Sequence, residues 1–270
     1  MVNSIDNRDG FIINRCKDCG LIWAEGIAND SLKSFYNHEY FNSKSRMGYE
    51  NYLNEEELHR RNARNIISSV NKMRELNGAR ILDIGSAFGF FLDEARKMKH
   101  CDVYGAEISS YASQYALNQM GLKIANNEFD KCNFETGFFD AAFLLGTIEH
   151  LTSPRAALSN IYKILKKKGI LVITTLNTRG LIPIFFIKPP EHIFYFNHKN
   201  LSKLLKESGY EILSEKLYFA EYHLHDLLYR LSKLRLFSFL DYLSGIIKNG
   251  FLDISLKVPT NEMMVTAQKA

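Results

Sequence analysis

The apolar and polar positions of this 270-residue chain follow two periods, one typical of strands and the other typical of helices. Four short apolar runs predict buried strands near residues 80–84, 102–107, 140–145 and 170–175. Apolar residues spaced three and four positions apart predict intervening helices near residues 90–99, 110–120 and 154–167. Strands and helices that alternate in this way indicate an α/β fold with a mostly parallel sheet.

The same pattern divides the chain into an N-terminal hairpin with an aromatic extension, a main domain and a helical insert. These parts cover residues 1–52, residues 53–219 with 257–270, and residues 220–256. The insert is apolar with helical spacing, and it interrupts the last two predicted strands, near 210–217 and 262–268. We expect it to cover one side of the core. The alternatives are a lid, a dimer contact and a peripheral membrane contact.

The junction after the first predicted strand carries the strongest functional signal. The strand ends around Asp83, and a turn with Gly85, Ser86 and Gly89 leads into the next helix. Glycine lets the backbone bend sharply and approach a ligand closely, and α/β sheets bind nucleoside cofactors at this carboxyl end. The phosphates of a dinucleotide would be repelled by a carboxylate here. Asp83 therefore disfavours a nicotinamide-dependent oxidoreductase and suits a cofactor with cationic groups.

A second acid, Glu107, closes the second predicted strand. In α/β folds an acid at this position holds the hydroxyl pair of an adenosine ribose. Either acid alone is a weak signal, but their order along the chain, with a helix between them, strengthens both.

These residues resemble the first motif of the class I S-adenosylmethionine-dependent methyltransferases, Asp-x-Gly-x-Gly-x-Gly. Asp83, Gly85 and Gly89 match that motif, and Ala87 replaces its middle glycine. Residues 139–151 resemble the family's fourth strand and following loop, and residues 165–175 resemble the turn into its fifth strand. The resemblance implies a Rossmann-like sheet flanked by helices, mostly parallel with an antiparallel last strand, and S-adenosylmethionine as the cofactor.

The resemblance also implies which residues of this chain contact the cofactor. They are Asp83, Gly85, Ser86, Gly89, Glu107, Ile108, Asn127, Glu128, Leu145, Gly146 and Thr147.

Two histidines, His150 after the fourth strand and His192 after the fifth, are the candidate catalytic bases. A hydroxyl acceptor must lose a proton, which a nearby histidine can accept. The alternative for each is a structural role, as a helix cap or in shaping a loop. A similar Glu-His pair binds a divalent metal in ubiquinone-biosynthesis O-methyltransferases, with acids just upstream. The upstream residues here are Leu145 and Gly146, so we expect no metal.

Cys16 and Cys19 resemble one knuckle of the zinc ribbon that related small-molecule methyltransferases carry at their N-termini. A structural zinc needs four ligands, and no cysteine or histidine precedes Cys16. We therefore interpret the segment as a degenerate hairpin that packs on the main domain, with zinc binding as the alternative.

The charge and composition of the chain restrict the classes of molecule that it is expected to bind. The net charge is only +4, too small to indicate a nucleic-acid-binding face. The densest basic cluster, Lys166–Lys168, falls in the last turn of the predicted helix 154–167, where lysines complement the helix dipole. Four cysteines without a regular framework and a polar N-terminus favour a cytoplasmic enzyme.

Together these observations predict methyl transfer from S-adenosylmethionine to a small-molecule acceptor. A hydroxyl of a sugar, quinone precursor or other metabolite fits best. The alternative is a non-catalytic protein of the same fold that acts as an interaction module or regulatory subunit.

Overall fold

The computed structural model describes residues 2–27, 34–42, 48–49, 51–180, 187–224, 227–228 and 255–270. Within these residues the chain forms a seven-stranded sheet, a four-stranded sheet and flanking helices. The strands are β1 (Val2–Arg8), β2 (Phe11–Cys16), β3 (Ile22–Glu25), β4 (Arg80–Ile84), β5 (Asp102–Ala106), β6 (Lys123–Ala125), β7 (Phe139–Leu145), β8 (Leu165–Leu176), β9 (Phe194–Tyr195), β10 (Tyr210–His223) and β11 (Ser255–Lys269). The α-helices are α1 (His38–Phe41), α2 (Glu56–Asn71), α3 (Phe90–Lys99), α4 (Ser110–Met120), α5 (Pro154–Ile164) and α6 (His198–Glu207).

The seven-stranded sheet has the order β10-β11-β8-β7-β4-β5-β6. Its strands β6, β5, β4, β7 and β8 are parallel, whereas β11 runs antiparallel to both β8 and β10. The chain leaves β4 towards β5 and β6, then returns to the other side of β4 as β7. This reversal creates a topological switch point, where open α/β sheets bind their ligands. The predicted mostly parallel sheet with an antiparallel last strand is confirmed.

The helices cover both faces of this sheet because each has one apolar side. Helix α2 buries Ile66, Ile67 and Val70 against one face, and helices α5 and α6 bury leucine and isoleucine residues against the other. Helix α4 begins at the Ser109 cap and ends where Gly121 adopts a left-handed φ of 61°. That helix has the boundaries predicted from the sequence.

The predicted helix 154–167 is too long. Helix α5 ends at Ile164, and β8 begins at Leu165, which pairs with Phe139 of β7. Lys166–Lys168 therefore lie in a strand, and the Lys166 ammonium is 2.8 Å from the Asp140 carboxylate. The helix-dipole explanation of this cluster is wrong, because an ion pair between strands accounts for Lys166 instead.

Strands β1, β2, β3 and β9 form a separate antiparallel sheet, which we call the N-terminal sheet. Ile22 and Trp23 of β3 pair with Tyr195 and Phe194 of β9, so this sheet extends beyond the predicted N-terminal hairpin. Cys16 and Cys19 lie at the turn between β2 and β3 as free cysteines. Among the described residues, no group of three potential ligand atoms within 4.8 Å of one another includes these cysteines.

Most of the predicted insert, residues 225–226 and 229–254, lies outside the described residues. Of its edges, residues 220–223 belong to β10 and residues 255–256 belong to β11. None of the described helices is long and apolar enough to cross a membrane.

Candidate active site

The carboxyl ends of β7, β4, β5 and β6 meet at one edge of the large sheet and border two adjoining cavities. The smaller cavity has a volume of ≈ 210 Å³ and the larger one ≈ 570 Å³. Gly85, Leu145 and Gly146 line both cavities, so the loops after β4 and β7 form their common wall. All of the predicted site residues except Gly89 line at least one of the two cavities.

Asp83, near the end of β4, is a buried acid without a hydrogen-bond partner for Oδ1 among the described residues. Its side chain lines the larger cavity and the residue is 3% exposed. Burial raises the pKa of Asp83 to about 8, and the nearby charge of Glu107 adds to this effect. The Ser86 hydroxyl of the following turn is also buried, and the described part of the chain offers it no hydrogen-bond partner. A cationic ligand at this place would stabilise the ionised carboxylate.

The two outer glycines of the turn serve different purposes. Gly85 has a φ of +77°, and a Cβ there would lie 2.6 Å from the Thr147 hydroxyl, so any side chain would obstruct the cavity wall. Gly89 caps the N-terminus of α3 with a φ of +82°, and a Cβ there would collide with the Leu122 side chain. The structure therefore places Gly89 in helix packing and outside the cavity lining.

Ala87, which replaces the middle glycine of the motif, has a positive φ of 44°. Its amide donates a 2.8 Å hydrogen bond to Glu107 Oε2, which holds the turn in this conformation. A left-handed φ costs a residue with a Cβ about 1–2 kcal/mol. Glycine would adopt this φ without strain, whereas alanine adopts it only at this energetic cost.

We expect Ala87→Gly to raise the free energy of unfolding by about 0.5–1 kcal/mol, since relief of strain exceeds the entropy that glycine adds to the unfolded chain. The measurement is thermal unfolding followed by circular dichroism. Ala156→Gly, on the exposed side of α5, is the matched control and should destabilise the protein by about 1 kcal/mol. A loss of stability in both variants would contradict the strain at Ala87.

Glu107 follows β5, and its hydrogen bonds connect the turns that line the smaller cavity. Its Oε1 accepts a hydrogen bond from the Ser109 amide at 2.7 Å, and its Oε2 accepts the one from Ala87. Asn126 donates to the Glu107 carbonyl at 2.8 Å. The carboxylate is 6% exposed and burial raises its pKa. Each carboxylate oxygen has a further lone pair that a ribose hydroxyl of a ligand could use.

The remaining predicted cofactor residues complete the wall of the smaller cavity. Ile108 follows Glu107, and Asn127 and Glu128 follow β6. Leu145, Gly146 and Thr147 come from the end of β7. The Gly146 amide is fixed by the Thr174 carbonyl of β8 at 3.0 Å, so this loop is held by the neighbouring strand.

The two candidate bases lie together, although 42 positions separate them in the sequence. The ring centroids of His150 and His192 are 4.8 Å apart in an edge-to-face arrangement. His150 Nδ1 lies 2.6 Å from the Glu191 carbonyl oxygen and 3.0 Å from the Tyr36 hydroxyl. The Glu191 carbonyl accepts only from a protonated nitrogen, so Nδ1 carries the proton and Nε2 keeps the lone pair. His192 Nδ1 is buried and has no partner among the described residues.

Both histidines are neutral at physiological pH. Burial lowers the pKa of His150 to about 4. Burial also lowers the pKa of His192 to about 2, with smaller contributions from the neighbouring His150 and Lys188, whose protonated forms would repel a second positive charge. Neutral imidazole is the form that accepts a proton. Like the cofactor contacts, the catalytic roles of the two histidines stay predictions.

The loop that carries His192 is fixed by hydrogen bonds to its surroundings. The Ile193 amide donates to the Glu149 carbonyl at 2.8 Å, which joins the loop to the segment that follows β7. The Tyr195 hydroxyl donates to the His192 carbonyl at 3.0 Å and accepts from the Lys188 amide at 2.8 Å. These contacts place Glu191 and His192 on the wall of the larger cavity.

Glu149, His150 and His192 could together hold a divalent cation. Each offers one ligand atom, and these atoms lie within 4.8 Å of one another. Glu149 is buried with Oε2 unpartnered among the described residues, and burial raises its pKa to about 8. The residues just upstream of Glu149 are not acids, and nothing in the sequence indicates that His192 lies close to it. The expectation that no metal binds stays a prediction.

Sequence reasoning missed an aromatic wall over the smaller cavity, which consists of Tyr36, Tyr40, Phe41, Tyr49 and Tyr52. Tyr36 contacts His150, and the Tyr40 hydroxyl donates to Glu191 Oε1 at 3.2 Å. The ring of Tyr52 stacks on that of His59, with centroids 4.0 Å apart. Only the density of aromatic residues between 35 and 52 could have indicated this wall, because their spacing has no clear period.

This arrangement fits S-adenosylmethionine. The unpartnered Asp83 oxygen suits a cationic group, the Gly85 turn leaves room where a Cβ would clash, and Glu107 suits a ribose. Asp83, Glu107 and the loops after β6 and β7 would hold the cofactor.

A family model described as a methyltransferase domain matches residues 56–215. The tRNA U34 carboxymethyltransferase of Desulforapulum autotrophicum is 31% identical over 160 residues, covering 53% of this chain and 48% of that protein. The ubiquinone biosynthesis O-methyltransferase of Rickettsia typhi is 26% identical over 209 residues, covering 70% of this chain and 79% of that protein. The match spans only 34% to 48% of the length of the two tRNA carboxymethyltransferases it resembles.

Solved structures share the fold at low identity. The magnesium protoporphyrin IX methyltransferase of Synechocystis has a TM-score of 0.55 and 10% identity, with 91% of this chain and 99% of that chain covered. A putative methyltransferase of Bacillus halodurans has a TM-score of 0.53 and 14% identity, with 75% and 98% covered.

Proposed function

Because the chain belongs to the methyltransferase domain family, whose model matches more than half of it, we propose that it transfers a methyl group from S-adenosylmethionine to a hydroxyl of a small molecule. The cofactor is S-adenosylmethionine, which supplies a methyl group already activated by a sulfonium. The chain must therefore align two molecules, exclude water and accept one proton.

The smaller cavity would bind the adenosine part of the donor. Glu107 is placed for the ribose hydroxyls, and Asn127 and Glu128 line the wall beyond it. Asp83 and Ser86, both with an unpartnered oxygen, would hold the amino-acid part where the two cavities adjoin. The aromatic wall covers this donor region and keeps water away from the transferring methyl group.

The observation that carries the proposal is the neutral His192 on the wall of the larger cavity, with Nδ1 unpartnered among the described residues. A hydroxyl acceptor bound there would donate its proton to His192 as the oxygen takes the methyl group. His150 packs edge-on against His192 and is itself held by Glu191 and Tyr36. We assign His150 the orienting role and His192 the role of base.

Two observations support a small acceptor over a nucleic acid. The cavities are lined by carboxylates such as Glu55, Glu128 and Glu191, which would repel a phosphate backbone. The relatives that act on tRNA match this chain over less than half of their own length.

We expect His192→Gln to lower kcat for a hydroxyl acceptor by about 10²-fold, the lower end of the range for general-base catalysis, because a weakly basic imidazole contributes less than a strong one. The affinity for S-adenosylhomocysteine should not change. His150→Gln is the matched variant and should lower kcat by less than His192→Gln does, since it removes an orienting contact. Equal rates for wild type and His192→Gln would contradict the assigned base.

The experiment that tests the function itself is transfer of labelled methyl from S-adenosylmethionine to a panel of sugars and phenols, each paired with its deoxy or O-methyl analogue. Labelling of the hydroxyl compound but not of its analogue supports O-methylation. Binding of S-adenosylhomocysteine without transfer to any acceptor would favour the alternative, a non-catalytic interaction module of the same fold.

A further inference from the structure

The larger cavity is acidic, although the chain as a whole carries more basic than acidic residues. One lysine, Lys188, lines this cavity, and five carboxylate residues line it as well: Glu55, Asp83, Glu191, Glu221 and Glu262. Asp83 suffices for the cationic part of the donor. The other four carboxylates line the space in which we propose that the acceptor lies. Among them, Glu221 already has the Arg61 guanidinium at 4.0 Å and the Asn65 side-chain amide at 3.0 Å.

Glu191 is the carboxylate best placed to bind a ligand. The residue is only 6% exposed, and its Oε1 accepts the hydrogen bond from Tyr40. Its Oε2 has no hydrogen-bond partner among the described residues, because the Lys188 ammonium, at 4.0 Å, is beyond hydrogen-bond distance. A buried carboxylate oxygen that faces a cavity is stabilised by a donor from the ligand, most of all by a charged one.

Aromatic rings surround the same space. Tyr49, Tyr52, Tyr218 and Tyr222 line the larger cavity, and ring faces attract ammonium groups. Carboxylates and aromatic rings thus line the same cavity, a composition that is unfavourable for an anion and favourable for a cation.

We propose, on the basis of the function proposed above, that the acceptor carries a protonated amine besides its hydroxyl, and that Glu191 binds this ammonium. Acceptors of this class are amino sugars and hydroxylated aromatic amines. An acceptor with a carboxylate or phosphate near the reacting hydroxyl is disfavoured, because it would face Glu191 and Glu262.

The test uses pairs of probes that share a hydroxyl group and differ in charge: tyramine against 4-hydroxyphenylacetate, and glucosamine against glucuronate. The full chain is first saturated with S-adenosylhomocysteine, and each probe is titrated calorimetrically. The ammonium member of each pair should bind at least about tenfold more tightly than the carboxylate member. Equal affinities, tighter binding of the carboxylates, or no binding of any probe would overturn the inference.

Glu191→Gln keeps the shape of the side chain and an oxygen that can accept the hydrogen bond from Tyr40, but it removes the negative charge. It should reduce the preference for the ammonium probes to less than about threefold. Glu207→Gln, on the surface, is the matched control and should leave the preference unchanged. Failure of S-adenosylhomocysteine to bind would contradict the proposed function, whereas lost charge preference in the loaded wild-type protein would contradict this inference alone.

Discussion

Asp83→Asn is expected to stabilise the unliganded protein at alkaline pH and to weaken donor binding at the same time. The pKa of Asp83 is raised from 3.8 to about 8, chiefly by burial. The folded state therefore holds this proton more tightly than the unfolded state. The contribution to stability is fully present below about pH 4 and is lost as the pH rises to about 8, above which the free energy of unfolding no longer depends on this group. Asparagine removes the ionisation, so above about pH 8 the variant should be more stable by roughly 5 kcal/mol, since each unit of pKa shift corresponds to about 1.4 kcal/mol.

Chemical unfolding of wild type and Asp83→Asn at acid and alkaline pH measures this difference. The difference in free energy of unfolding between the two proteins should increase as the pH rises from about 4 to about 8. Asp102→Asn is the matched control, because the Lys123 ammonium lowers the pKa of Asp102 and its loss should not stabilise the protein at any pH. Affinity of Asp83→Asn for S-adenosylmethionine should fall at least about 30-fold, roughly 2 kcal/mol. A difference in free energy of unfolding that does not depend on pH would contradict the burial of Asp83 with no hydrogen-bond partner for Oδ1 among the described residues.

Glu107→Ala is expected to lower the affinity for S-adenosylhomocysteine by about 10³-fold, or roughly 4 kcal/mol. The substitution leaves the amides of Ala87 and Ser109 without their acceptor, and each unpaired buried donor costs about 1–3 kcal/mol. It also removes the carboxylate that we expect to bind the ribose. Both losses act on the same cavity, so the effect on binding should exceed that of either contact alone.

Calorimetric titration measures this affinity, and thermal unfolding in the absence of ligand separates the loss of binding from a loss of fold. Glu107→Gln keeps one acceptor oxygen and should bind with intermediate affinity. Glu207→Ala, a distant surface carboxylate, should bind as the wild type does. If the affinity of Glu107→Ala lay within about threefold of that of the wild type, Glu107 would not be a donor-binding residue.

The sequence was sufficient to predict the parts of the site that depend on local chemistry. The strand before Asp83, the helix that Gly121 ends and the acid at Glu107 each follow from a few neighbouring residues. Loops after adjacent parallel strands necessarily meet at one edge of the sheet. The predicted cofactor residues lie together there for this reason, with Gly89 as the exception because it packs against Leu122.

The features that the sequence did not indicate depend on contacts between distant parts of the chain. Helix α5 ends early because Leu165 pairs with Phe139, and no local signal marks that boundary. Tyr36 meets His150 from 114 positions away, in a segment without helical or strand spacing. Glu191 faces a cavity only because the tertiary fold brings its loop against β7.

The pairing of β3 with β9 connects the N-terminal sheet to the loop that we propose binds the acceptor. The Ala24 amide donates to the Ile193 carbonyl at 2.9 Å, one residue after His192. We therefore expect the choice of acceptor to depend on both stretches of chain, the loop and the strand that supports it. A chimaera that imports only residues 187–196 from a relative would separate the loop from its supporting strand. Directed evolution towards new acceptors should diversify or transplant residues 2–27 together with that loop.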